Sequence, residues 1–221
     1  MMKNPESPIT GSPLSNGKFV WRFGIALFLA CVAIFGVLAK ELWFTPHKQD
    51  LLNGSFLPEP RRIEAFNLVS DAGAPFALDD IRGHWTFVFA GYSYCPEVCP
   101  ATLALLKTAK AQLGDKAKQL KVLFLSIDPE HDTPERLTEF IHHFGPDFQA
   151  ATGSKQQIEA LAANLGLAAF KEENATGQYE FVHSANLILV NPKGQMAGYL
   201  SPPFTVEGLA ADINTTLESG L

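Results

Sequence analysis

The period of the apolar positions changes along the chain, and each change predicts an element. From Phe23 to Ala39 there is no charged residue, and Leu, Ile, Val, Phe and Ala dominate. A run of this length reads as a transmembrane helix whose ends extend past Arg22 and Lys40, because long side chains at helix ends reach the interface. Trp21 and Trp43 bracket it, about 33 Å apart at helical rise, near the thickness of a bilayer core. The expectation is one anchor over 19–43 behind a short tail, 1–18. A cleaved signal peptide ending at Val37-Leu38-Ala39 is the competing reading. Pro46, Pro58 and Pro60, with Asn53-Gly54-Ser55, break any pattern over 44–62, which reads as a linker. Residues 63–221 read as one domain.

Within that domain strand and helix patterns alternate. Ile63–Val69 and Phe76–Leu78 flank Asp71-Ala72-Gly73, a hairpin signal. Trp85–Ala90 is a continuous apolar, β-prone run, as for a strand buried on both faces, and Val122–Ile127 is a second. Between them, Leu106, Ala109 and Leu113 share one stripe of a helix over Thr102–Leu113. Leu137, Phe140, Ile141 and Phe144 recur at helical spacing behind Thr133 as cap and Pro134 in the first turn. Ile158, Leu161, Ala162 and Leu165 repeat the spacing behind a Ser154–Gln157 capping box. Asn186–Val190 is a third buried strand, which Asn191-Pro192-Lys193-Gly194 turns, and Val206, Leu209, Ala210, Ile213 and Leu217 mark a last amphipathic helix. The order implies an α/β three-layer sandwich. Ligands in such sheets sit beyond the carboxyl ends of the strands, and Cys95 directly follows the Trp85–Ala90 run.

Charge changes the picture in two ways. The net charge of −6 is uneven: residues 1–40 carry Lys3, Lys18, Arg22 and Lys40 against Glu6, leaving −9 for the remainder. An acidic domain repels nucleic acid, whose phosphates demand Lys and Arg. The basic tail marks the cytoplasmic side of the anchor. It is short and not rich in Arg or Ser, unlike a mitochondrial transit peptide. The expected location is therefore the bacterial inner membrane, single-pass, with the C-terminal domain periplasmic.

The three cysteines are too few for a disulfide-built scaffold. Cys31 lies in the apolar run and reads as a packing residue. Cys95 and Cys99 lie four apart where a loop enters a helix, so both sulfurs can face one small object. Such a pair suits cuprous copper, zinc, a structural disulfide or thiol exchange. His183, in Phe181-Val182-His183-Ser184-Ala185, is the best third donor, and with two sulfurs it makes an S₂N set suited to copper. A structural zinc normally takes four protein ligands, and the other histidines show no fourth at motif spacing. His142 and His143 are adjacent and point apart on a helix, His47 and His84 have no visible partner, and Met196 reads as packing.

Three segments carry a family resemblance. Tyr94-Cys95-Pro96-Glu97-Val98-Cys99-Pro100 resembles the copper-loop motif of the Sco/SenC family of cytochrome c oxidase assembly proteins. Ser126-Ile127-Asp128-Pro129-Glu130-His131-Asp132-Thr133-Pro134 is similar to that family's second motif. His183-Ser184, leading to Leu189-Val190-Asn191-Pro192-Lys193-Gly194, resembles its third, and the stretch from Gly83 to Tyr92 fits the approach to the cysteines. The likeness runs over about residues 62–218.

The resemblance implies a thioredoxin-like fold with an added N-terminal hairpin, and copper, as Cu(I) and/or Cu(II), held by Cys95, Cys99 and His183. It implies a metallochaperone that delivers copper to the copper A domain of cytochrome c oxidase subunit II. The alternative is a thiol–disulfide oxidoreductase that uses Cys95 and Cys99 to reduce the cysteines of that site. A copper-donor chaperone or a thioredoxin-like reductant would be a further partner. Glu97, Asp128 and Asp132 are the candidates to support the ligands. Glu97 replaces an Asp usual in the family. His131 replaces a usual Arg, which removes a permanent charge beside Asp128 and Asp132; His131 is not assigned as a ligand. A peroxidase on the same fold would need an Arg beside the reactive Cys, and none flanks Cys95.

Overall fold

A computed structural model describes the backbone of residues 21–22, 24, 27–36, 51–167, 169–173, 179–183 and 185–221, with side chains for all of these outside 169–183. The chain separates into two units, 1–47 and 48–221. In the first, the described residues are helical and exposed. Among the described residues no helix is long and apolar enough to cross a membrane, and the rest of the expected anchor over 19–43 lies outside them.

The second unit is built on a mixed sheet. In chain order its elements are β1 (Gly54–Arg62), β2 (Asn67–Ser70), β3 (Pro75–Ala77), β4 (Trp85–Gly91), α1 (Val98–Gln112), β5 (Leu120–Ser126), α2 (Pro134–Ile141), β6 (Phe148–Thr152), α3 (Lys155–Asn164), β7 (Ala169–Glu173), β8 (Tyr179–His183), β9 (Leu187–Val190), β10 (Gln195–Leu200) and α4 (Val206–Glu218). Eight strands pair in the order β1-β10-β9-β4-β5-β6-β2-β3, and β7 pairs with β8 apart from them. β4, β5 and β6 run parallel, while β9 and β2 flank them antiparallel.

The apolar runs explain the centre. All seven residues of β4 are buried, as are all four of β9 and six of seven in β5. Alternate side chains point to opposite faces, so burial at every position requires cover on both sides, the three-layer arrangement the pattern implied. α1 packs on α4, and α2 on β6. Burying side chains such as Phe87, Phe89, Leu103 and Phe124 completely contributes about 1.5–3 kcal/mol each. The caps also form: Thr133 accepts from the Arg136 amide with Pro134 in the first turn, and Ser154 and Gln157 make a capping box.

Four parts differ from expectation. The expected linker over 44–62 is a strand from Gly54 to Arg62, paired antiparallel with β10. Its pairing shifts between Phe56 and Arg61, where Pro58 and Pro60 sit; an edge strand with a bulge does not need every N–H, so it accepts proline. The domain therefore begins by Leu51, which is buried, and not at Ile63. Asp212, fully buried on α4, fastens that start by accepting from the Asn53 amide at 3.1 Å and the Asn53 side chain at 2.6 Å. β6 was not anticipated, nor was the β7–β8 hairpin. The expected strand from Ile63 is paired only over Asn67–Ser70, with the β2–β3 hairpin turning through Gly73 at φ 74°.

Candidate metal centre

β4 delivers the chain to the site. Gly91, its last residue, lies opposite Ser126 at the end of β5, and the Ile127 amide donates to its carbonyl at 2.9 Å. The chain then turns through 92–97, closed by a bond from the Cys95 amide to the Tyr92 carbonyl at 3.1 Å. It enters α1 so that Cys99 is the second helical residue. Glu97 occupies the cap position but its side chain caps nothing and is exposed. The Cys95 sulfur instead receives the Cys99 amide at 3.5 Å, satisfying one of the donors a helix start leaves open.

Both sulfurs face the interior. Cys95 is 9% exposed and Cys99 0%, and no disulfide joins them. Burial pushes the Cys99 thiol well above the ordinary range. The Cys95 sulfur and the Asp132 charge push the same way, and a backbone hydrogen bond from Tyr92 opposes them. Gly91 makes the space: a Cβ there would lie 2.7 Å from the Cys99 sulfur and 2.7 Å from Cε2 of Phe124.

The loop after β5 braces the cysteine loop from behind. Asp132, 1% exposed, accepts the Ser93 amide at 3.0 and 3.2 Å on its two oxygens and the Ser126 hydroxyl at 2.6 Å. Asp128, also 1% exposed, receives the Asp132 amide on its carbonyl at 2.9 Å, and Nδ1 of His131 lies 2.9 and 3.0 Å from its carboxylate oxygens. Asp128, Glu130 and His131 thereby bring donor atoms within 4.8 Å of one another, with Asp128 already engaged by His131. From α2, Arg136 donates through Nε to the Ser93 hydroxyl at 3.1 Å, and its guanidinium carbon lies 4.7 Å from the Tyr94 ring centre.

The structure thus brings Cys95 and Cys99 together, places Asp128 and Asp132 behind their loop, and leaves Glu97 outside. His183 is the last residue of β8, in register with Ala169; its side chain lies outside the described residues. The Cα atoms of β8 come within 8 Å of those of β4, the strand that leads to Cys95.

A model of the SCO1/SenC family matches residues 57–218, well over half of the chain. The chain belongs to the SCO1/SenC family. A protein of Stutzerimonas stutzeri named for copper binding is 32% identical over 161 residues, covering 72% of this chain and 79% of that one. The crystal structure of Arabidopsis thaliana ScoI with copper bound aligns with a TM-score of 0.65 at 26% identity, covering 70% of this chain and 96% of that one. BsSco, described as a member of the Sco family of cytochrome c oxidase assembly proteins, shares the fold at 20% identity and a TM-score of 0.58, covering 73% of this chain and 96% of that one. The thioredoxin-like α/β fold is common to these Sco structures. The matched stretch spans less than two thirds of mitochondrial relatives from Arabidopsis thaliana, at 43%, and Saccharomyces cerevisiae, at 59%.

Four residues of this SCO1/SenC site have no role assigned from the sequence, although Ser126 opens the second motif and Gly91 lies in the approach to the cysteines: Gly91, Ser93, Ser126 and Arg136. Gly91 had a signal, a glycine ending an apolar strand just before the cysteine loop. Ser93 and Ser126 are ordinary loop and strand residues until Asp132 joins them across 39 and 6 positions. Nothing in the sequence distinguishes Arg136 from other polar helix residues, and only the tertiary fold gives it Ser93 and Tyr94.

Proposed function

We propose that this SCO1/SenC protein is a membrane-anchored copper metallochaperone for assembly of the copper A site of cytochrome c oxidase. Cys95 and Cys99 supply two sulfur donors and His183 an imidazole, for Cu(I) and/or Cu(II). The observation that carries the reading is the converging, buried sulfur pair at the end of β4. Soft sulfurs select cuprous copper, and an added imidazole also suits cupric copper. The absence of a side chain at Gly91 lets the Cys99 sulfur sit against the end of β4, close to Cys95. Copper-binding relatives and the family's description as oxidase assembly proteins support the same reading.

Copper is cargo here. Binding requires deprotonated sulfur, so the proton that burial holds on Cys99 leaves as the metal arrives. Asp132 and Asp128 keep the loop in the geometry that points both sulfurs inward. The anchor over 19–43 and the basic tail support an inner-membrane, single-pass arrangement with the copper domain periplasmic. The acceptor is subunit II of the oxidase, and a copper-donor chaperone loads the site.

A second reading is favoured by the closeness of the two reduced cysteines, the Cys95 sulfur accepting the Cys99 amide at 3.5 Å. It is thiol–disulfide exchange on the oxidase cysteines, recharged by a thioredoxin-like reductant. Anaerobic Cu(I) competition titration of the reduced protein, beside His183→Ala, separates the two. One tight equivalent that weakens sharply in His183→Ala is expected. Binding indifferent to His183, with thiol exchange intact, would overturn the chaperone reading in favour of the second.

A further inference from the structure

The sulfurs that do the chemistry are shut in. Cys99 is completely buried and Cys95 nearly so, so an incoming metal or a partner's thiol reaches the pair only after a local movement of the chain, and the loop over 92–97, which carries Cys95, is a segment whose movement would expose it. The two residues before Cys95, Ser93 and Tyr94, are held from two sides. From beneath, the buried Asp132 grips the Ser93 amide. From outside, Arg136 donates to the Ser93 hydroxyl at 3.1 Å and lays its guanidinium over the Tyr94 ring. The His131 and Tyr94 rings stand nearly perpendicular with their centres 6.3 Å apart.

The outer grip has the properties of a catch. Arg136 is the third residue of α2, whose start is fixed by the Thr133 cap and Pro134, so its base is firm. Its side chain is 36% exposed and Tyr94 is 59% exposed, so the contact can part without opening the core. Among the described residues, the guanidinium also approaches Glu139 on its own helix at 3.7 Å, a contact that holds nothing in the loop. Both loop contacts depend on the planar guanidinium: one on the Nε proton, the other on stacking, and a lysine supplies neither.

We propose that Arg136 is a positioning residue, a latch that holds Ser93 and Tyr94, the two residues leading into Cys95, and sets how often Cys95 and Cys99 open to exchange. The latch rests on the copper reading above, for it governs the rate at which that site loads and unloads.

The test uses the reduced full chain with two readouts. One is the rate of Cu(I) transfer to bicinchoninate. The other, without metal, is the rate at which iodoacetamide alkylates Cys95, followed by peptide mass spectrometry. Arg136→Gln and Arg136→Lys are each expected to accelerate both by about tenfold, from loss of one charged hydrogen bond and one cation–π contact. The thermal midpoint should fall by no more than the about 3–6 °C that a tenfold change corresponds to in a domain of this size. Tyr94→Leu should act alike, and the double variant Arg136→Gln/Tyr94→Leu should add little, because the two residues share one contact. Should Arg136→Gln fail to fold, Tyr94→Leu, which leaves α2 untouched, carries the same expectation. Wild-type alkylation and transfer rates in Arg136→Gln would overturn the latch, as would wild-type rates in Arg136→Lys alone, which would mean that charge and not the planar group matters. If the wild-type chain takes up no copper, the copper reading fails by itself, and Cys95 alkylation still decides the latch.

Discussion

Gly91→Ala adds one methyl group where the fold and the metal centre meet. The φ of Gly91 lies outside the left-handed region, so alanine fits the backbone, and removing a strand glycine regains about 0.5–1 kcal/mol. Against this, the new Cβ would stand 2.7 Å from the Cys99 sulfur, 2.7 Å from Cε2 of Phe124 and 3.1 Å from its Cζ. Phe124 is fully buried and packed between Phe89 and Phe140, at ring separations of 6.1 and 5.2 Å, so it has little room to yield. Overpacking of this kind costs about 1–3 kcal/mol. With Phe124 unable to yield, the cost lies at the upper end of that range and the net loss is about 2 kcal/mol, or about 4–8 °C in thermal midpoint for a domain of this size. The Cys99 sulfur must also shift by several tenths of an ångström, more than the ~0.2 Å that metal–ligand distances tolerate. Thermal unfolding of the reduced chain and Cu(I) competition titration read the two effects separately. In a Cys99→Ala background the stability cost should shrink, because one of the two clashes is gone. A Gly91→Ala protein with wild-type midpoint and wild-type Cu(I) affinity would refute the claim that Gly91 makes room for the sulfur.

Four further outcomes are expected. Asp132→Asn turns an amide N–H toward one of two buried donors, the Ser93 amide or the Ser126 hydroxyl; the urea midpoint should fall by the equivalent of about 1–3 kcal/mol with an unchanged slope. Lys110 is 7% exposed, donates to the carbonyls of Ala117 and Leu120, and is pushed by burial from 10.5 down to about 8. The unfolded chain therefore holds this proton where the folded one has lost it, so stability relative to Lys110→Met should rise from about pH 8 to 10.5; a flat difference in urea titrations across that window would sink the assignment. Asp212→Ala removes the acceptor of the Leu52 and Asn53 amides, and hydrogen exchange at both should quicken at least tenfold, since each lost bond to a charged group is worth about 1.5–3 kcal/mol. Alkaline phosphatase fused after Leu221 should be active, as for an exported domain; an inactive, cytoplasmic fusion would reverse the orientation.

Local features carried much of this protein in its sequence. β4, β5 and β9 announced themselves because strands covered on both faces must be apolar throughout. α2 and α3 did so because a cap acts within one turn, between Thr133 and Arg136 or Ser154 and Gln157. The cysteine pair was legible for the same reason: four residues at a helix start suffice to converge two sulfurs. Tertiary structure decided the rest. β1, with two prolines, is a strand only because β10 offers it an edge, and β6, with its consecutive alanines, only because β5 and β2 flank it. The burial of Asp132 and Asp212, the space beside Gly91 and the reach of Arg136 to Tyr94 join residues 39 to 159 positions apart or lie across neighbouring strands. Spacing in the chain holds no record of such contacts, because loop closure brings distant segments together at a cost that grows only slowly with length, and many pairings compete until the packed core selects one.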